Sequence, residues 1–166
     1  MSEIRNRVKE SGLIAMDLAT FVPTVNAVEI DLKDQLWQGL ALKEKDFRSW
    51  IKTHDWEQYS GKAVNVTCSA DAIIPTWAFM LVSSKLLEAN AFSVIGDQTE
   101  LQNALIKQKI DALDLKEFED GRIIIKGCAD VKDPAYAMSE LLKRIQPVAK
   151  SIMYGEPCST VPLFKR

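Results

Sequence analysis

Apolar and polar residues change rhythm along this chain, and the rhythm is most regular after Gly61. Lys62–Thr67 (KAVNVT), Ala91–Ile95 (AFSVI), Arg122–Lys126 (RIIIK) and Ser151–Tyr154 (SIMY) are short runs rich in β-branched or aromatic residues, each of strand length. They recur every ~28–30 residues, about the size of a βαβ unit. Helical spacing fills the gaps. Pro75–Ala89 carries Trp77, Met80, Leu81, Ser84 and Leu87 or Leu86 at intervals of three and four, and Pro75 suits a first helical turn, where its missing N–H has no partner to lose. Leu101, Leu105 and Ala112 share a face of a second helix, with Ile106, Ile110 and Leu113 beside them. Pro134–Ile145 shows Met138, Leu141, Leu142 and Ile145 as a third stripe. Strands alternating with helices over such short connections predict a mostly parallel sheet with right-handed crossovers.

The first third is patterned differently. Leu13–Leu18 and Ala27–Leu32 alternate apolar and polar residues around a loop with Pro23, Thr24 and Asn26, which predicts an N-terminal antiparallel extension of the sheet. Glu44–Thr53 follows as a helix with Phe47, Trp50 and Ile51 inward, running into His54-Asp55-Trp56. No linker, low-complexity tract or solenoid-type repeat interrupts the chain. At 166 residues the expectation is one α/β domain spanning 1–166.

Charge narrows the function classes. Twenty-one Lys and Arg face twenty-three Asp and Glu, and no basic block dominates, so the clustered positive field that nucleic acid requires is missing. The longest apolar stretch, Ala72–Val82, is about half of the ~20 residues needed to cross a bilayer and contains Pro75. The amino end, MSEIRNRVKE, has none of the apolar core of a secretory signal. A cytoplasmic protein without membrane or nucleic-acid partners is expected, its oligomeric state unspecified.

Candidate chemistry concentrates on the cysteines. Cys68, Cys128 and Cys158 each follow a predicted strand, and in a parallel sheet those carboxyl ends share the edge where open α/β proteins bind ligands. Gly96, Gly127 and Gly155 stand at the same strand ends, where backbone approaches a cofactor closely. Three thiolates meeting there form a soft, negative pocket suited to zinc, iron or an iron–sulfur cluster, with Asp71, Asp130, Glu156 or His54 as fourth ligand. Against this stands the absence of any Cys-x-x-Cys pair and the ordinary use of cysteine as a small buried hydrophobe. His54, near a helix carboxyl end, is explained by the helix dipole as readily as by acid–base work. Trp37, Trp50, Trp56 and Trp77 read as core or pocket wall. The tail Val161–Arg166 either docks on the body or binds a partner.

His54-Asp55-Trp56, Thr67–Ile73 with Pro75–Ala78, Ile125–Cys128 and Ser151–Leu163 (SIMYGEPCSTVPL) resemble the bacterial family known as domain of unknown function 2480, over nearly the whole chain. The resemblance implies no activity for any residue, but it implies a connection with iron–sulfur cluster assembly proteins as partners. The resulting expectation is a metal- or iron–sulfur-related accessory protein whose site is Cys68, Cys128 and Cys158, completed by Asp71 or His54. Two alternatives stay open. One is a small-molecule enzyme with a cysteine nucleophile and His54 or Asp71 as base. The other is an interaction module whose apolar tail and tryptophans hold a partner while the cysteines are buried.

Overall fold

A computed structural model describes residues 12–156 and 158–166. The charged amino end and Pro157 lie outside the described residues. The chain forms two compact units: a terminal unit of the described residues up to Pro23 with Leu105–Arg166, and a central unit of Thr24–Ala104.

In the central unit, β2 (Ala27–Asp31), β3 (Ala63–Thr67) and β4 (Phe92–Ile95) form a fully parallel sheet in the order β2-β3-β4. Helices α1 (Glu44–Thr53) and α2 (Thr76–Glu88) supply the apolar faces that cover one side of it. In the terminal unit, β1 (Leu13–Asp17), β5 (Arg122–Lys126) and β6 (Ser151–Glu156) are parallel, and β7 (Ser159–Lys165) is added antiparallel along β6. Helix α3 (Gln98–Asp111) carries the chain from the central unit back to the terminal one, and α4 (Pro134–Ile145) links β5 to β6.

The mixed α/β class with mostly parallel sheets holds, but two expectations are corrected. The strands form two separate sheets, and the antiparallel pairing lies at the carboxyl end. The physical reason is at Asp17 and Asp31. Each closes its strand and accepts a backbone N–H two residues on, from Ala19 at 2.9 Å and from Lys33 at 3.0 Å, which starts a short 3-10 helix instead of a hairpin. Leaving the sheet plane in this way, β1 and β2 never pair with each other; β1 joins β5 and β2 joins β3.

The two units share one plan. Ala63 pairs with Phe92 and Arg122 with Ser151, so residues 59 positions apart (63 to 122, 92 to 151) occupy the same register. The same offset relates Ala78, Val82 and Leu86 of α2 to Ala137, Leu141 and Ile145 of α4, and all six are completely buried. Each Val, Leu or Ile so buried stabilises by roughly 1.5–3 kcal/mol, and the i, i+4, i+8 spacing aims them along one helix face. It also relates Ala70-Asp71 to Ala129-Asp130, Pro75 to Pro134 and Gly96 to Gly155. Sequence reading missed this repeat; the shared alanine–aspartate, proline and alanine were its signal.

Helix starts follow local chemistry. Pro134 occupies the first turn of α4, and Asp133 caps it by accepting the Tyr136 N–H at 3.0 Å. Pro75 sits one position earlier than expected, at the N-cap of α2. For α3, Asp97 accepts N–H groups of Thr99 and Glu100 while the Glu100 carboxylate accepts the Asp97 N–H at 2.6 Å, a reciprocal cap. No helix among the described residues is long and apolar enough to cross a membrane.

Candidate functional site

The cysteines do not assemble. Cys68 follows β3 in the central unit, half-buried, with its Sγ 3.8 Å from the Ala70 carbonyl oxygen. Cys128 follows β5 in the terminal unit and Cys158 stands between β6 and β7, both exposed. Among the described residues no group of three or more His, Cys, Asp or Glu side chains is placed to hold a metal ion. The metal or iron–sulfur role built on Cys68, Cys128, Cys158, Asp71 and His54 is therefore overturned. Its premise was one shared sheet edge, and β3 belongs to a different sheet from β5 and β6. The iron–sulfur assembly partners lose their structural support with it. Equally, two exposed thiols do not fit the alternative in which the cysteines are buried.

Each strand-end glycine makes room for the chain's own groups. Gly127 (φ +76°) faces the Asp17 carboxylate and Gly96 (φ +142°) faces that of Glu100. A Cβ at Gly155 (φ +117°) would lie 2.6 Å from the Ser159 carbonyl oxygen. What lies within a Cβ's reach of these glycines is thus a capping residue, a helix-start carboxylate and the β6–β7 turn.

Beside Cys68 the sequence reading missed a polar cluster. The Asp31 carboxylate accepts the Ser69 hydroxyl at 2.5 Å, the Ser69 N–H at 3.0 Å and the Lys33 N–H at 3.0 Å, with the Lys33 ammonium 3.5 Å away. Burial pushes this carboxyl up, but the hydrogen bonds and the ammonium outweigh it and hold the pKa at about 2. A carboxylate so stabilised is a weak base, and its role is to tie the loop after β3 to the end of β2. In the terminal unit the position matching Ser69 is Cys128.

His54 caps α1, its backbone N–H donating to the Trp50 carbonyl at 2.9 Å. Its Nε2 is 2.9 Å from the Tyr59 hydroxyl, and its ring packs against Trp50 and Trp56 at centroid distances of 5.0 and 4.7 Å. Burial lowers the His54 pKa, partly opposed by the Asp55 charge, so the imidazole stays neutral near pH 7. Trp56 is buried with its indole N–H on the Ile51 carbonyl at 2.8 Å, and Trp50 and Trp77 pack against the same core. Trp37 departs from the core assignment. It is 46% exposed, with the Lys43 ammonium 4.1 Å from its ring centroid.

The largest contrast between the units lies on the outward side of the matching helices. In the central unit, Phe79, Met80, Ser83, Ser84 and Leu87 of α2 and Ile95 of β4 line an apolar groove of about 470 Å³. Met80 is 67% exposed, Leu87 76% and Ile95 46%. The Phe92 and Gly96 N–H groups donate to the Lys62 and Val66 carbonyls of the β3 side, so by alternation Ser93 and Ile95 direct their N–H and C=O groups away from β3. No strand among the described residues pairs there. In the terminal unit the matching positions of β6, Ile152 and Tyr154, pair with Phe164 and Val161 of β7. The helix face there carries Ser139, Lys143 and Gln146 in place of Met80, Ser84 and Leu87. A smaller groove of about 350 Å³ remains between α4 and β7, lined by Met138, Tyr154, Leu163 and Cys128 among others.

The fold and this surface define a two-unit, mostly parallel α/β protein with a sheet edge that no described strand covers beside an apolar helix face. The chain belongs to the family described as Protein of unknown function (DUF2480), whose model matches residues 2–166. No curated protein and no solved structure matches it.

Proposed function

We propose that this protein is an interaction module that works through the α2/β4 groove of its central unit. The observation that carries the reading is the meeting of two surfaces: a strand edge that no described strand pairs, and beside it Met80 and Leu87 of the helix face with Ile95 of the strand in the open. Burying the apolar part against a partner is favourable by about 25 cal/mol per Å², and the strand edge leaves water without loss where a partner strand pairs its N–H and C=O groups. β4, Phe92-Ser93-Val94-Ile95, has none of the charges or prolines that usually blunt an edge. By contrast β7, the outer strand of the other sheet, carries Pro162 and Lys165. Strand addition with helix-face packing is a known recognition mode.

A photo-crosslinking residue at position 80, expressed in the organism's own cells, tests this. Discrete adducts that disappear with Leu87→Lys are expected. Adducts no more abundant than those formed from the exposed control position Lys116 would sink the reading.

A further inference from the structure

We infer that the occupant of the α2/β4 groove is a second copy of this chain, placed by a two-fold axis so that β4 of one copy runs antiparallel to β4 of the other. The inference rests on the interaction reading above and names its partner. Four observations support a second copy.

The matching edge in the terminal unit, that of β6, takes its neighbour antiparallel. A two-fold axis perpendicular to the sheet at its edge generates that same direction and sets the two α2 helices on one face. Next, the patch has two parts, a strand edge and a helix face. An extended peptide covers the edge and leaves much of Met80 and Leu87 in water, whereas a second copy brings a strand and a helix together. Third, the patch suits contact with itself. Neither β4 nor the outward α2 positions Thr76, Met80, Ser83, Ser84 and Leu87 carry a charge, so two identical surfaces meet without like-charge repulsion. The flanking charges, Lys85 and Glu88, already neutralise each other at 2.9 Å within one copy. Finally, Ser83 and Ser84 lie between Met80 and Leu87, and small residues there leave hollows in which the partner helix seats its larger side chains. At the matching positions of the terminal unit, Leu142, Lys143 and Gln146 line a groove of about 450 Å³ with Pro147, Phe164 and Arg166, and its two cationic side chains would repel a second copy.

Sedimentation velocity of the full chain at tens of micromolar, with two variants, decides the matter. Ser93→Pro removes an outward N–H and leaves the β3–β4 hydrogen bonds in place, and Leu87→Lys brings like charges together across the axis. Dimeric wild type is expected, with the dissociation constant raised at least roughly tenfold by each variant. The Ser93 and Ile95 amides should be slow to exchange in the dimer and fast in the Leu87→Lys monomer, which covers the case in which Ser93→Pro does not fold. A dimer indifferent to Leu87→Lys overturns the inference. So does a wild-type monomer, and the two readings then separate. If that monomer binds a peptide of the Ser159–Lys165 sequence and Leu87→Lys abolishes binding, the groove takes a strand from another source. If it binds nothing and yields no position-80 adducts, the interaction reading fails as well.

Discussion

In the terminal unit the outward face of α4 carries Ser139, Lys143 and Gln146 and β6 is paired on both sides, whereas in the central unit the matching residues are Met80, Ser84 and Leu87 and β4 is paired on one. Inside, the units agree: Ala78, Val82 and Leu86 answer Ala137, Leu141 and Ile145, all without exposure. A shared strand–helix–strand plan constrains the buried face of its helix, because a volume change there opens a cavity or forces strain. It leaves the opposite face and the sheet edge open to specialisation. The terminal unit covered its edge with β7, whose Phe164 packs onto the core of that unit. The central unit kept an apolar surface that water does not satisfy.

The equivalence of the interiors is the easiest part to break. Leu86→Ala and Ile145→Ala should each lower stability by about 2–5 kcal/mol in urea unfolding, because both side chains are fully buried. A loss under about 1 kcal/mol at one of them would show that its packing differs from that of its counterpart.

The paired glycines sharpen the comparison at the strand ends. Gly155→Ala should cost about 3 kcal/mol, since its positive φ is unfavourable for alanine and the new Cβ meets the Ser159 backbone. Gly96→Ala meets the movable side chain of Glu100 and should cost roughly 1–2 kcal/mol. Equal losses would mean that β7 does not constrain its end of the sheet.

The smallest effect concerns the Asp31–Ser69 link, which has no serine counterpart in the terminal unit. Its folded pKa of about 2 lies below the ordinary 3.8, so the unfolded chain binds the proton first as acid is added. The stabilisation is complete above about pH 4 and is lost as pH falls toward 2, amounting to at most about 2 kcal/mol. Asp31→Asn should remove that part of the acid dependence. An unchanged slope between pH 4 and 2 in the variant would assign it to other carboxylates.

Much of the fold was legible in order and length. The RIIIK strand, the Glu44–Thr53 helix and the Pro134–Ile145 helix all stand where the apolar pattern placed them. These signals are local, set by neighbours three or four residues away. Pairing of the first strands was not legible, because alternation in Leu13–Asp17 and Ala27–Asp31 reports a half-buried strand without its direction or its partner. The cysteine site failed for the same reason. Position after a strand was read correctly for Cys68, Cys128 and Cys158, but sharing an edge depends on sheet membership. The repeat would have warned against it, since at the 59-residue offset Cys68 aligns with Gly127 and Cys128 with Ser69.

By itself the sequence determined most of the strands and helices and the membership of the family, because each rests on contacts between near neighbours or on a long matching motif; it missed the buried face of α2, which is Ala78, Val82 and Leu86, while Met80 and Leu87 of the expected stripe lie open. Tertiary structure alone decided that β1 and β2 enter different sheets, that no three candidate metal ligands gather among the described residues, and that no described strand covers the β4 edge beside Met80 and Leu87. Those outcomes depend on which distant segments pair, and hydrogen bonds between strands are identical in kind whatever strands make them.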